Sequence, residues 1–165
     1  MSPKSSRGFT LIEMMVAMLI AGIIMSMAVY GIRDLLVNQR MKTAAFNLVI
    51  SSMFARSEAV NRGASIYIKA PSSNDLTGGW CVLVSSTANC DIVSPDLTNT
   101  MRVSQPVDGV TYTFRTTAGP IVFNRAGRLD NRVKVEIVDN QDSNQKRCVV
   151  IDVGGNATSA VGACS

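Results

Sequence analysis

The chain has 165 residues, 47% of them hydrophobic and 17% charged, a balance that excludes an intrinsically disordered protein. Its formal net charge of +4 is too small to imply a nucleic-acid partner by itself, and Lys4 and Arg7, ahead of the first apolar run, supply two of those charges. Histidine is absent, which removes the usual general base and the commonest metal ligand.

In the segment from Phe9 to Ile32 the only charged residue is Glu13. At about 1.5 Å per residue these 24 positions outrun a hydrocarbon layer of roughly 30 Å, so the segment has membrane length. A carboxylate inside such a helix costs roughly 3 kcal/mol and needs a task. A secretory signal would use Lys4 and Arg7 as its basic region and Ser26-Met27-Ala28 as its cleavage site, but the apolar run is long for a signal and Glu13 interrupts its start. A plain single-span anchor fits the length and leaves Glu13 without a role.

The string RGFTLIE, from Arg7 to Glu13, resembles the processing site of type IV prepilins and pseudopilins. The resemblance implies a leader of residues 1–8, cleaved between Gly8 and Phe9 by a prepilin peptidase that also methylates the new Phe9 amine. It implies a single pass of the inner membrane by residues 9–32, with membrane lipid around the helix before assembly, and later a place in a pilus fibre at the cell surface. The partners it implies are other major and minor pilins and the inner-membrane assembly machinery. Glu13 then becomes the fifth residue of the mature chain, where the helix dipole favours negative charge. The Phe9 ammonium of an adjacent subunit, at a separation of about 4 Å, would attract it by roughly 4 kcal/mol at an effective dielectric of 20.

From Arg33 to Arg62 there is neither proline nor glycine. A helical wheel gathers Leu35, Phe46, Val49, Met53 and Val60 on one side, with Met41, Ala45 and Leu48 beside them. Arg33, Arg40, Asn47, Ser51, Glu58 and Arg62 collect opposite. The expectation is an amphipathic helix over residues 33–62 that continues the apolar one and lays its large side chains on a head. After Gly63 the period changes to that of strands: ASIYIKA, GWCVLVSS, MRVSQ, VTYTFRTT, PIVFN, RVKVEIVDN and KRCVVIDV, punctuated by turns such as Asp108-Gly109, Ala118-Gly119 and Ala126-Gly127. Short connections between consecutive strands predict an antiparallel sheet over residues 63–165. The fold class expected is therefore α+β: a long N-terminal helix, half transmembrane and half amphipathic, packed on an antiparallel β-sheet head that spans residues 33–165.

Four cysteines, Cys81, Cys90, Cys148 and Cys164, include no C-x-x-C pair, and without histidine a metal site would need all four thiolates at unusual spacings. No metal and no cofactor is expected. On a translocated head two disulfides fit better. Sequence order allows three pairings, of which local closure, Cys81 with Cys90 and Cys148 with Cys164, is favoured, each bridge being worth around 3 kcal/mol. Catalysis is not expected either: Ser57 beside Glu58, or Ser85-Ser86, has no histidine, nucleophile elbow or phosphate loop to support it.

Three later strings, SSMFARSEAVNRG, GGWCVLV and IVFNRAGRL, are similar to those of the GspH/FimT/FimU group of pilins. That group implies three roles: a minor pilin that primes assembly of a type IV pilus or sits at its tip, a minor pilin that binds DNA for natural transformation, and the H-type pseudopilin of type II secretion. The DNA-binding members use a basic glycine-arginine motif near the C-terminus, whereas this chain has Gly154-Gly155-Asn156 there and no Lys or Arg after Arg147. The remaining candidates for DNA are Arg125, Arg128, Arg132, Lys134, Lys146 and Arg147. The tail bearing Cys148 and Cys164 is like the FimU type, so the structural minor pilin is the leading expectation.

Overall fold

The computed structural model describes residues 9–72, 75–116 and 119–165. The leader with Lys4, Arg7 and Gly8, and the turn residue Ala118, lie outside the described residues. Two compact units divide the chain, Met1–Leu36 and Val37–Ser165, and helix α1 (Leu11–Arg62) starts in the first and ends in the second.

In the first unit every described side chain from Leu11 to Ser26 is exposed, the leucines, isoleucines and methionines included. Among the described residues no helical stretch is long and apolar enough to cross a membrane. The run read from the sequence continues past Ser26 into residues whose side chains are not described.

The second unit holds the head. Helix α1 ends at Gly63, whose φ of +60° suits glycine. The Gly63 N–H donates to the Val60 carbonyl and the Ala64 N–H to the Ala59 carbonyl, the paired bonds of a Schellman C-cap. Eight strands follow: β1 (Ile66–Lys69), β2 (Trp80–Leu83), β3 (Thr100–Ser104), β4 (Val110–Phe114), β5 (Ile121–Phe123), β6 (Val133–Asp139), β7 (Lys146–Ile151) and β8 (Ala157–Val161). Seven coincide with strings read as strands. The eighth, ATSAV, is an exposed edge strand without a buried alternate face, so it lacks the hydrophobic period that would have marked it.

One sheet was expected and two are present, with orders β3-β2-β1-β5 and β4-β6-β7-β8, every pairing antiparallel. The chain leaves the first sheet after Ser104 and returns to it at Ile121. Each crossing contains a proline, Pro106 and Pro120, which cannot donate to a ladder and so favours a break in pairing. β4 consequently pairs with β6, and β1 finds β5 far along the chain.

The face of α1 that covers the sheets is the main correction. Leu35, Phe46, Met53 and Val60, read as the covered side, are all more than half exposed. Met41, Ala45 and Leu48, expected beside that side, are buried, together with Ala44, Ser52, Ala55 and Ala59; of the residues expected opposite, Ser51 is wholly buried and Arg40 reaches buried Asp139 at 3.4 Å. The physical reason is size. Alanine and serine let the helix backbone approach the strands closely enough for the Tyr112 hydroxyl to donate to the Ala44 carbonyl at 3.3 Å. Ser52 settles its own hydroxyl on the Leu48 carbonyl at 2.8 Å, which removes most of the burial cost. A wheel scored by hydrophobicity weighs these small residues too low. Beneath them lie Ile66, Ile68, Trp80, Val82, Phe123, Val135, Ile137 and Val149, with Trp80 edge-to-face on Tyr112 at 5.4 Å.

Candidate assembly surface

The first turn of α1 gives Glu13 a partner within the chain. The Thr10 N–H and hydroxyl both donate to Glu13 Oε2 at 3.0 Å, and the Glu13 N–H donates to Thr10 Oγ1 at 3.3 Å. This is a capping box, T-x-x-E immediately before an apolar run, and it satisfies two of the amide groups that a helix start leaves unpaired. The spacing Thr10-x-x-Glu13 is itself a local signal in the sequence, one that the intermolecular ion pair expected of Glu13 does not include. Phe9, Ile12, Glu13, Val16, Ala17 and Ile20 share one exposed, largely apolar side of the first helical turns. Phe9 is 82% exposed, and Gly8, the other side of the expected cleavage point, lies outside the described residues.

Both disulfides close locally, Cys81 to Cys90 and Cys148 to Cys164. The second holds the tail across the outer face of the β6–β7 pair. There Glu136, almost wholly buried, accepts from the Arg115 guanidinium at 2.6 Å and the Cys164 N–H at 3.0 Å, with Lys146 Nζ 3.9 Å away. The Arg115 hydrogen bond, outweighing the effect of burial, holds the Glu136 carboxyl below the usual carboxylate range.

The six basic candidates do not form one surface. Lys146 and Arg147 are consecutive on β7, so their side chains leave opposite faces of the sheet. Lys146 goes to Glu136, and Lys134 Nζ donates to the Ser165 carbonyl. Arg125, Arg128 and Arg132 are exposed around the turn that joins β5 to β6. Arg147 points to the α1 side, where it lines an open cleft with Lys42, Thr43, Phe46 and Ser159.

Three strings far apart in sequence do converge. Arg56 of the ARSEA segment donates to Asn156 Oδ1 at 2.6 Å. A Cβ at Gly127, in NRAG, would fall 2.8 Å from Val60 Cγ2 and 3.0 Å from Arg56 Cγ, and one at Gly155 would fall 2.2 Å from the Gly127 carbonyl oxygen. The helix end, the β5–β6 turn and the β7–β8 turn therefore lock through Arg56 and two glycines. Arg56 is the centre of this lock. Glu58 pairs with Arg62 at 2.8 Å, and Trp80 is fully buried.

The family described as type II transport protein GspH matches residues 44–155, and the prokaryotic N-terminal methylation motif matches residues 3–29. No curated protein gives a significant match. Among solved structures, the type IV minor pilin FimU of Pseudomonas aeruginosa is similar with a TM-score of 0.62 at 20% identity, over 74% of this chain and 90% of that one. The minor pseudopilin EpsH from the type 2 secretion system of Vibrio cholerae is similar with a TM-score of 0.54 at 13% identity, over 74% of this chain and 97% of that one. At such identities the likeness is one of fold: a pilin-like α+β head.

Proposed function

We propose that this chain, which belongs to the GspH family, is a minor pilin that primes assembly of a type IV pilus or occupies its tip. The observation that carries the reading is the methylation motif joined to an apolar helix whose described side chains have no covering partner in the chain. In this reading the peptidase cuts between Gly8 and Phe9 and methylates Phe9. The helix waits in the inner membrane as a single span with its head in the periplasm, and neighbouring helices replace lipid when the fibre grows. Glu13 holds its own first turn through Thr10 until the Phe9 ammonium of an adjacent subunit approaches, and then exchanges neutral donors for a charged one, which is the stronger bond. Residues 9–32 serve as anchor and fibre core, and residues 33–165 form the head. The work assigned to the chain is assembly, with no catalytic step.

A second reading, the H-type pseudopilin of a type II secretion system, draws support from the family description and from the likeness to EpsH. DNA uptake draws less, because Lys146 and Arg147 leave opposite faces of β7 and Lys146 and Lys134 already have partners.

Mass spectrometry of the mature chain tests the main reading. An N-methylated Phe9 start, with the chain recovered in sheared fibres, is the expected result. A start after Ala28 would replace it with a secreted protein, and recovery only with a secretion complex would favour the pseudopilin.

A further inference from the structure

The two sheets have four edges, and three of them are blunted. β3 carries Arg102, and its pairing with β2 shifts register between Val82 and Leu83. β5 has three residues and starts directly after Pro120, which has no N–H to offer. Beside β4 lies the short helical turn Leu76–Gly78, whose Thr77 hydroxyl accepts the Tyr112 N–H at 3.1 Å. β8 has none of these guards. No proline and no charged side chain stands between Val153 and Ser165, and a bare strand edge of this kind is a template for another strand.

The ladder to β7 fixes which groups are free. At its two ends the Asp152 N–H donates to the Asn156 carbonyl at 3.0 Å and the Gly162 N–H to the Lys146 carbonyl at 2.8 Å. In an antiparallel pair the N–H and C=O of one residue point the same way, and the direction alternates along the strand. Asn156, Thr158, Ala160 and Gly162 therefore turn to β7, while Ala157, Ser159 and Val161 turn outward. Their N–H and C=O groups stand in one row with no partner among the described residues. The end of the chain does not come back to cover them. After Gly162, at φ +109°, the Cys148–Cys164 bridge and the bond from the Cys164 N–H to Glu136 Oε2 draw it over the outer face of the β6–β7 pair. The edge is also poor in side-chain bulk: Ala157 and Ser159 are small, and Val161 is 78% exposed.

We propose that β8 is a docking edge for one extended segment of another subunit, which adds a fifth strand to the β4-β6-β7-β8 sheet and lays larger apolar side chains over Ala157, Ser159 and Val161. Backbone groups in a straight row select an extended chain over a helix, because a helix spends its own N–H and C=O groups internally. A second copy is a poor occupant. β8 set antiparallel on itself about Ser159 places serine on serine and Val161 on Ala157, and little apolar area is buried. The proposal takes only the source of the strand from the reading of the chain as a fibre subunit, and adds the edge, the register and the side-chain class.

The test uses the full chain and follows the β8 amides by hydrogen exchange at residue resolution. In the chain purified in detergent, Thr158 and Ala160 should be protected, and Ala157, Ser159 and Val161 should exchange freely. In assemblies recovered from cells, whether sheared fibres or detergent-extracted complexes, the alternation should vanish, with the outward three slowed about tenfold or more. Ser159→Pro deletes an outward N–H and leaves the bonds to β7, and Val161→Lys guards the edge with a charge while keeping the backbone. With the photo-crosslinking residue benzoylphenylalanine at position 158 in cells, each variant should lower the yield of the adduct to an extended segment of another subunit about tenfold or more. Ser159→Ala should leave that yield unchanged, and both disulfides should form throughout. Adducts on lipid, on a helix or on β8 of a second copy, or an unchanged yield in Ser159→Pro and Val161→Lys, would overturn the proposal. Alternation that persists in sheared fibres sinks the docking edge alone, and alternation lost only in complexes outside fibres sinks the fibre reading alone. A chain absent from fibres whose alternation never changes sinks both.

Discussion

Gly154 and Gly155 are adjacent, and the structure separates them sharply. At Gly155, φ is +81°, and an added Cβ would sit 2.2 Å from the Gly127 carbonyl oxygen, 3.1 Å from Arg56 Cδ and 3.2 Å from Arg56 Nε. A left-handed backbone costs a residue with a side chain roughly 1–3 kcal/mol. The carbonyl belongs to a turn already wedged against Val60 and Arg56, so relief requires backbone movement, and overpacking of that kind adds roughly 1–3 kcal/mol. Gly155→Ala should therefore destabilise the head by roughly 2–6 kcal/mol, a large share of the 5–15 kcal/mol typical of a domain. Gly154 has no such φ, and the atoms nearest its added Cβ are the ends of the Asp152 and Asn156 side chains at 3.1 and 3.4 Å, which need to give by only a few tenths of an ångström and can keep their hydrogen bonds. Gly154→Ala should cost less than about 1 kcal/mol. Thermal unfolding of the full chain in detergent, disulfides intact, reads the difference: at about 2–4 °C per kcal/mol, Gly155→Ala should melt at least roughly 4 °C lower. Equal shifts for the two variants would refute the convergence of the three loops on Arg56.

Glu136 supplies a pH dependence. Its folded-state pKa is depressed, chiefly by Arg115, so its stabilisation is complete above the unfolded value of about 4.3 and drains away as pH falls below that through the folded value. Acid titration of stability should accordingly be shallower below about pH 4 in Glu136→Gln than in the parent, and identical slopes would remove the carboxylate from the account. Serine at both Cys148 and Cys164 should cost about 3 kcal/mol and free the tail from Glu136, seen as faster amide exchange at Cys164→Ser; an unchanged exchange rate would show the tail held by other means. Thr10→Ala and Glu13→Ala separate the two tasks of the carboxylate. Both lose the capping box, worth about 1 kcal/mol, yet Glu13→Ala alone should impair incorporation into fibres while membrane levels hold. Equal impairment by the two variants would reduce Glu13 to a cap.

Local pattern carried much of this protein. An uninterrupted apolar run bearing one carboxylate, seven runs of strand period and four cysteines without histidine are properties of neighbours along the chain, and each was legible. Thr10-x-x-Glu13 is equally local, but it marks a cap only when the hydroxyl three residues earlier is read together with the carboxylate. The single-sheet expectation failed at Pro106 and Pro120, because a sequence shows where pairing stops but not which distant strand resumes it. Lys146 and Arg147 fall in a run read as a strand, whose alternation already sends them to opposite faces; only the fold shows that Lys146 meets Glu136 and Arg147 the α1 side.

By itself the sequence determined a prepilin-like start, a long helix and a β-rich head, since these follow from composition, period and short motifs. The tertiary structure alone decided which side of α1 meets the head. That choice depends on how closely the helix backbone can approach the strands, and hence on the small size of Ala44, Ala45, Ser51 and Ala55. By turning them inward, the fold left Phe46, Met53 and Val60 facing out, where hydrophobicity counted along the sequence had placed the core.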